Sequence, residues 1–362
     1  ILPRKTITRM HIFNPSDIKT LSSELEKAEK VAIVTHFKPD GDAMGSSLAM
    51  HCFIKHFFKC EVKIILNDRY PQSIAFMVDP EAGQDILTYD ENPDEIIQTI
   101  AAADHIVALD FNAFHRTDRL ETLLKESEAF KILIDHHLHP DTESFNLVFS
   151  YQSISSASEL VYHILKATPQ CQGKKESIPF YAAESLMTGM TTDTNNFANS
   201  TFPSTLQMAS ELIEIGVDRD KIIFNLYNQY GENRIRLLGY ALKDLLKITD
   251  DGVAYIVIDK DTLERYNIQE GDTEGFVNMP LAIAKVRMSI LVKEDDGRLR
   301  VSIRSKKGTS ANRCSKLHFN GGGHENAAGG RLNVPEDVKS ISEAGEYIER
   351  HTHIFITSEN EA

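Results

Sequence analysis

The sequence predicts an α/β protein: a doubly wound, mostly parallel sheet domain, then a smaller α+β domain, with a helix joining the two. Three observations carry this expectation. Through the first two hundred residues short apolar runs alternate with helical segments, and the runs are nearly continuous, as strands buried on both faces require. Beyond about residue 250 the pattern turns strand-rich and contains a hairpin signal. A length of 362 residues suits two cores. The expected division is a catalytic, metal-binding domain over 1–230, a connecting helix over 231–249 and a substrate-binding domain over 250–362.

Each element has its own signal. Asn14-Pro15-Ser16 opens a helix to about Lys30, and Val31–Val34 is the first strand. A Pro/Gly loop leads into a helix from Ala43 to about Lys59, followed by the strand Val62–Leu66. HIVALD forms a strand ending at Asp110, a helix runs from about Asp118 to Glu128, and KILID ends a further strand at Asp135. Helices over about Ser156–Lys166, Pro179–Met190 and Ser204–Ile215 complete the domain. Leu237, Leu238, Ala241, Leu245 and Ile248 recur at helical spacing and predict the connecting helix. VAYIVID, KVRMSILVK and RLRVSIRS read as strands, the last two joined by Glu294-Asp295-Asp296-Gly297. A helix near Asn312–Leu317, a glycine cluster, a short strand and a helix over Glu336–Arg350 follow.

Composition excludes several classes. With 41% apolar and 25% charged residues, the chain is neither disordered nor collagenous. No apolar run approaches the ~18 residues of a membrane span, and the opening ILPRKTITRM lacks the apolar stretch of a signal peptide. Four dispersed cysteines, Cys52, Cys60, Cys171 and Cys314, fit neither a zinc ribbon nor a disulfide scaffold, so a cytoplasmic protein without a membrane partner is expected. The net charge of −14 argues against a duplex-DNA binder. Between Lys285 and Lys316, however, ten Lys and Arg stand against three Asp and Glu, a local balance of +7 that suggests an anion site or a solvated strand pair.

Acidic and imidazole side chains gather where the chemistry should be. Thr35-His36-Phe37-Lys38-Pro39-Asp40-Gly41-Asp42 follows one strand, Asp110 ends a second and Asp135-His136-His137 ends a third. In an open α/β sheet the loops beyond the carboxyl ends of the strands share one crevice. Gly189–Thr194 follows a helix and reads as another loop at that rim, carrying Asp193. Singly, such an Asp is ordinarily a helix cap and such a His a surface or core residue. Together, several carboxylates at one rim repel one another unless a cation holds them. A set of carboxylates and imidazoles without a thiolate suits Mn²⁺ or Mg²⁺, with Fe²⁺ or Co²⁺ also compatible. Six ligands suit two ions about 3.5–4 Å apart sharing a carboxylate.

These motifs resemble the DHH phosphoesterases. THFKPDGDAMGSSLAM resembles that family's first motif, VALD ending at Asp110 its second, IDHH its third and GMTTDTNNF its fourth. VSIRSK and NGGGHENAAGG resemble the DHH-associated substrate domain. The resemblance implies that His36, Asp40 and Asp110 hold one metal, and that Asp42, Asp110, His136 and Asp193 hold the second. It makes Asp135 an orienting residue behind an imidazole, and His137 the group that faces the substrate phosphate and stabilises or protonates near the leaving oxygen. Arg304, with Ser305 and Lys306, would grip phosphate, and the Gly321-Gly322-Gly323-His324 loop would approach the nucleotide. The implied activity is hydrolysis by a hydroxide that two metals activate. Its substrates would be oligonucleotides of about two to five residues, as in the nanoRNases, and 3′-phosphoadenosine 5′-phosphate. Cyclic di-AMP or pApA phosphodiesterase, pyrophosphatase or exopolyphosphatase, and a non-catalytic nucleotide-binding regulator are the alternatives. Phe276 and Phe319 are aromatics that would stack a base, or else core. A homodimer is expected from the family, and His351-Thr352-His353 reads as a solvated tail.

Overall fold

A computed structural model describes residues 13–269, 271–295 and 298–360. The opening ILPRKTITRM and Asp296-Gly297 of the expected hairpin turn lie outside the described residues. The chain divides into two compact units, the first ending at Asn228 and the second beginning at Gln229.

The first unit begins with α1 (Pro15–Lys27), where the Asn14 side chain accepts from the Ser16 amide and Ile18, Leu21 and Leu25 face inward. There follow β1 (Lys30–Thr35), α2 (Gly41–Phe57), β2 (Glu61–Leu66), α3 (Pro80–Gly83), β3 (Ile86–Thr88), α4 (Pro93–Ala102), β4 (His105–Leu109), α5 (Glu121–Glu126), β5 (Phe130–Asp135) and β6 (Leu147–Ser150). Four helices close the unit: α6 (Ala157–Ala167), α7 (Phe180–Asp193), α8 (Pro203–Glu214) and α9 (Arg219–Tyr227). The sheet order is β3-β2-β1-β4-β5-β6, and every pairing is parallel.

The continuous apolar strands explain the double winding. On β1, Val31 and Ile33 join one core, which packs under α1, α2, α6, α7 and α8, while Ala32 and Val34 join a second core under α4 and α5. β4 and β5 divide the same way, with Val107 and Ile132 on one face and Ile106 and Leu133 on the other. The strand order reverses between β1 and β4, so their carboxyl ends open the crevice in which such sheets bind ligands.

The second unit contains α10 (Glu232–Tyr240), a π turn (Ala241–Leu245), β7 (Lys247–Ile248), β8 (Val253–Ile258), α11 (Lys260–Arg265), β9 (Met288–Asp295) and β10 (Arg298–Ser305). α12 (Ala311–His318), β11 (Gly322–His324), β12 (Ala327–Leu332) and α13 (Ala344–Asn360) complete it. Its sheet order is β11-β12-β10-β9-β8-β7; only β8 and β9 pair in parallel. α12 and α13 supply Ala311, Cys314, Ile348 and Phe355 to a core that Val301 and Ile303 of β10 share.

Several sequence expectations are corrected. The helix expected over Glu336–Arg350 begins at Ala344, because Asp337 accepts from the Asn333 amide at 2.7 Å and holds the preceding stretch in a turn. The connecting helix stops at Leu245 and gives way to β7. Gly189–Asp193 is the last turn of α7, not a loop. The glycine cluster is in part a strand, β11, paired with β12. Phe276 and Phe319 are buried core residues, so neither side chain is available for stacking a base. His351-Thr352-His353 lies within α13, with His351 stacked on Tyr347.

Candidate metal centre

Small residues bring the site together. A Cβ on Gly45 of α2 would lie 2.6 Å from the Ser185 carbonyl and 2.8 Å from the Gly189 Cα of α7. A Cβ on Gly189 would lie 2.1 Å from Ser158 Oγ and 3.1 Å from Asp42 Oδ1. Real Cβ atoms essentially never approach within about 3 Å, so the close crossing of α2 and α7 depends on glycine. That crossing sets Asp42, in the first turn of α2, and Asp193, at the end of α7, on a common side.

Helix ends hold two of the carboxylates. Asp40 caps α2, accepting from the Asp42 and Ala43 amides at 3.0 and 3.1 Å. Asp42 accepts from the Ala157 and Ser158 amides at 2.7 and 2.9 Å, so the amino end of α6 grips it. Ser156 caps that helix through the Glu159 amide, and the paired serines ahead of α6 were the sequence signal for this otherwise unanticipated anchor.

Asp110 sits at the centre. It follows β4 in the left-handed region, with φ 63°, and its amide donates to the Ile134 carbonyl at 3.1 Å. His36 Nε2 lies 3.5 Å from Asp110 Oδ2, and His136 Nε2 lies 3.4 Å from Asp110 Oδ1. His36 donates Nδ1–H to the Phe37 carbonyl at 2.8 Å, which fixes the tautomer and turns Nε2 toward the carboxylates. His136 Nε2 also lies 3.9 Å from Asp42 and 3.7 Å from Asp193. Two triads result, His36/Asp40/Asp110 and Asp42/Asp110/His136, each with ligand atoms within 4.8 Å of one another and both containing Asp110. Asp193 faces the second triad through His136.

The electrostatics show what the cluster lacks. Burial opposes charge on His36, yet the Asp110 carboxylate 3.5 Å away and the field of Asp40 raise it to about 9. Burial likewise opposes charge on His136, but Asp110, Asp193 and Asp42 raise it to about 10. Burial, then repulsion from Asp110 and Asp193, pushes Asp42 well above the usual carboxylate range. Asp193 rises to about 6, through burial first and Asp110 repulsion against the pull of His136. Asp110 stays far below the usual range despite burial, because the imidazoles of His136 and His36, 3.4 and 3.5 Å away, favour its charged form. Its Oδ1 is nevertheless buried with no hydrogen-bond partner. A buried carboxylate oxygen without a donor, among carboxylates that repel one another, fits a site for divalent cations.

Asp135 and His137 form a third group. Asp135 is buried, accepts from His137 Nδ1 at 2.7 Å and from the His137 amide at 3.1 Å, and so fixes the ring by two contacts. His137 Nδ1 lies 3.8 Å from Asp110. Asn112 ties this loop to the one after β4, donating to the Leu138 carbonyl at 2.8 Å.

The expected substrate residues lie in the second unit. Arg304 stands on β10 opposite Ala327 of β12 and donates to the Ile303 carbonyl at 3.0 Å. Ser305 is buried and donates to the Thr309 carbonyl at 2.6 Å, while Lys306 Nζ donates to the Ile283 and Ala284 carbonyls. These two residues therefore brace the fold, which a motif alone does not distinguish from phosphate binding. A Cβ on Gly321 would lie 1.9 Å from the Gly329 carbonyl, and Gly323 has φ 150°, so glycine is required here by β12 itself. Gly322 and His324 are half-buried on the edge strand.

Two acid-and-imidazole triads joined by one carboxylate stand at the switch point of a doubly wound sheet and suit divalent cations. The DHH family N-terminal domain matches residues 30–190 and the DHHA1 domain matches residues 241–348: the chain belongs to the DHH family of metal-dependent phosphoesterases. It is 28% identical over 309 residues to the bifunctional oligoribonuclease and PAP phosphatase NrnA of Bacillus subtilis, covering 84% of this chain and 90% of that protein. To the protein of the same name from Thermus thermophilus it is 27% identical, covering 86% and 87%. Among solved structures, an exopolyphosphatase-related protein from Bacteroides fragilis shares 34% identity and a TM-score of 0.87, over 98% of this chain and all of that one. Among the described residues no helix is long and apolar enough to cross a membrane.

Proposed function

We propose that this chain hydrolyses oligoribonucleotides of two to five residues to mononucleotides, and removes the 3′-phosphate of 3′-phosphoadenosine 5′-phosphate, in the cytoplasm and with Mn²⁺ as its metal. The observation that carries the proposal is the shared Asp110, whose buried Oδ1 has no donor and which belongs to both triads. His36, Asp40 and Asp110 would hold one ion, and Asp42, Asp110, His136 and Asp193 the other. When bound, such ions lower the pKa of water and offset charge on a phosphoryl group. The similarity to two NrnA proteins over most of the chain supports the substrate class, and the four free cysteines support a reducing compartment.

The chain's own residues then have defined tasks. Asp135 accepts the hydrogen bond that His137 donates from Nδ1–H, so Nε2 is the atom that gives its proton to the leaving oxygen. The second bond of the carboxylate, from the His137 amide, keeps the ring from turning. Arg304, Gly322 and His324 form the nucleotide-recognition face of the second unit, with Ser305 and Lys306 holding the turn beside it.

The test is a substrate panel. The protein with Mn²⁺ is offered di- to pentaribonucleotides, 3′-phosphoadenosine 5′-phosphate, cyclic di-AMP, pApA and pyrophosphate in separate reactions. Mononucleotides from the short RNAs and AMP from the bisphosphate are expected. Turnover of pyrophosphate alone, or of the cyclic dinucleotide alone, would overturn the proposal.

A further inference from the structure

Arg116 lies in the 3₁₀ segment Phe114–Leu120 that follows Asp110, and among the described residues its guanidinium makes no hydrogen bond or ion pair. Its Nε is buried without an acceptor. The other described arginines of the first unit all have partners: Arg69 meets Glu91, Arg119 meets Asp90 and Asn67, and Arg219 meets Asn196 and the face of Phe197. The backbone places Arg116 beside the metal centre, because its carbonyl accepts from the Phe37 amide at 2.8 Å, directly after His36. Its charge is close enough to act against protonation of His36.

A permanent cation next to a cation-holding site is unfavourable by itself. A buried, unpaired guanidinium N–H adds to the cost. Both penalties vanish when an anion lies between the guanidinium and the metal centre, and the Arg fork matches two oxygens of one tetrahedral phosphoryl group.

We infer that Arg116 binds the non-bridging oxygens of the scissile phosphate on the His36 side of the centre and is a catalytic residue. This rests on the phosphoester-hydrolysis reading above. The guanidinium supplies a fixed donor where negative charge develops, so its removal should lower kcat more than it raises KM.

The experiment compares the Mn²⁺-loaded parent with Arg116→Ala and Arg116→Lys. Metal content, melting temperature, inorganic phosphate binding by calorimetry and steady-state kinetics on a diribonucleotide are measured. Arg116→Ala should keep the parent's metal content and melting temperature, bind phosphate at least tenfold more weakly and lose about 10²-fold in kcat. Arg116→Lys should recover part of both losses. If the alanine variant fails to fold, Arg116→Gln, which retains an amide but no charge, takes its place. Phosphate affinity and kcat within twofold of the parent would overturn the inference, as would loss of a metal ion with phosphate binding unchanged. Should the parent cleave only pyrophosphate, the substrate reading fails, while phosphate binding still tests Arg116 separately.

Discussion

Raising the pH over the metal-free protein should remove protons from two buried imidazoles that a cation must otherwise displace. Held at about 9 and about 10 by the surrounding carboxylates, His36 and His136 both carry imidazolium charge at pH 7. Each must offer a bare Nε2 to act as a ligand, so loading both sites releases two protons from the rings alone. The number of protons released sets the slope of log affinity against pH. Between pH 7 and 9 the combined affinity for two Mn²⁺ should therefore rise about 10²-fold per pH unit, and more steeply below pH 6, where Asp193 also protonates. The stability of the metal-free protein should move the other way. A folded value raised above the ordinary 6.5 stabilises the fold below that pH, and the contribution disappears as pH climbs through 9 and 10. Calorimetry of Mn²⁺ binding at pH 7, in buffers of different ionisation enthalpy, counts the protons directly. Two or more released as the pair loads is the expected result; fewer than one would refute the electrostatic account of the cluster.

Four further outcomes follow from the geometry. Asp110→Asn, nearly isosteric, should leave the melting temperature within a few degrees but reduce bound Mn²⁺ below two per chain and abolish turnover, as metal analysis and the substrate panel would reveal. Gly189→Ala drives a methyl toward Ser158 Oγ and Asp42 Oδ1; thermal melts should report a loss of about 1–3 kcal/mol, and titration a weakening of the second ion in particular. Asp135→Asn should lower kcat by at least ~10²-fold with metal content unchanged, because an amide can turn its NH₂ to Nδ1 and no longer fixes the His137 tautomer. Glu159 is buried, yet hydrogen bonds from Ser155 and Thr205 and the His163 imidazole 3.6 Å away hold it at about 2. Its contribution to stability should be complete above pH 4.5 and fall away as pH drops toward 2, so acid melts of Glu159→Gln should be flatter than those of the parent across that window.

The parts of the fold that were readable in the sequence are those where burial dictates composition. β1, β4 and β5 are buried on both faces and so appear as unbroken apolar runs, each followed by a carboxylate or imidazole at the crevice. β3 and β6, the sheet edges, are three and four residues long and carry no such run. α4 leaves little trace in the sequence because its inward stripe consists of Ile96 and Ile100 alone.

The six positions that motif resemblance marks as metal ligands converge for local physical reasons. Asp193 is the instructive case. Its segment, Gly189-Met190-Thr191-Thr192-Asp193, has poor helix propensity and reads as a loop. In the folded chain Gly189 is demanded by the contact with Ser158 of α6, and the Thr191 and Thr194 hydroxyls donate to the Met187 and Met190 carbonyls. Tertiary packing therefore overrides propensity, and a one-dimensional pattern cannot register a helix crossing. The grip of the α6 amino end on Asp42 spans 115 positions and is invisible for the same reason. In the second unit, the motif residues Ser305 and Lys306 bond to nearby carbonyls, so side-chain type alone overstated their freedom to meet a ligand.

The central claim is that one buried carboxylate serves two cations at once. Anomalous diffraction from crystals grown with Mn²⁺ tests it directly, at the manganese edge. The account predicts two peaks per chain, one beside His36 and Asp40, the other beside Asp42, His136 and Asp193, with an oxygen of Asp110 coordinated to each. A single peak, or two peaks of which one lies out of reach of Asp110, would contradict it.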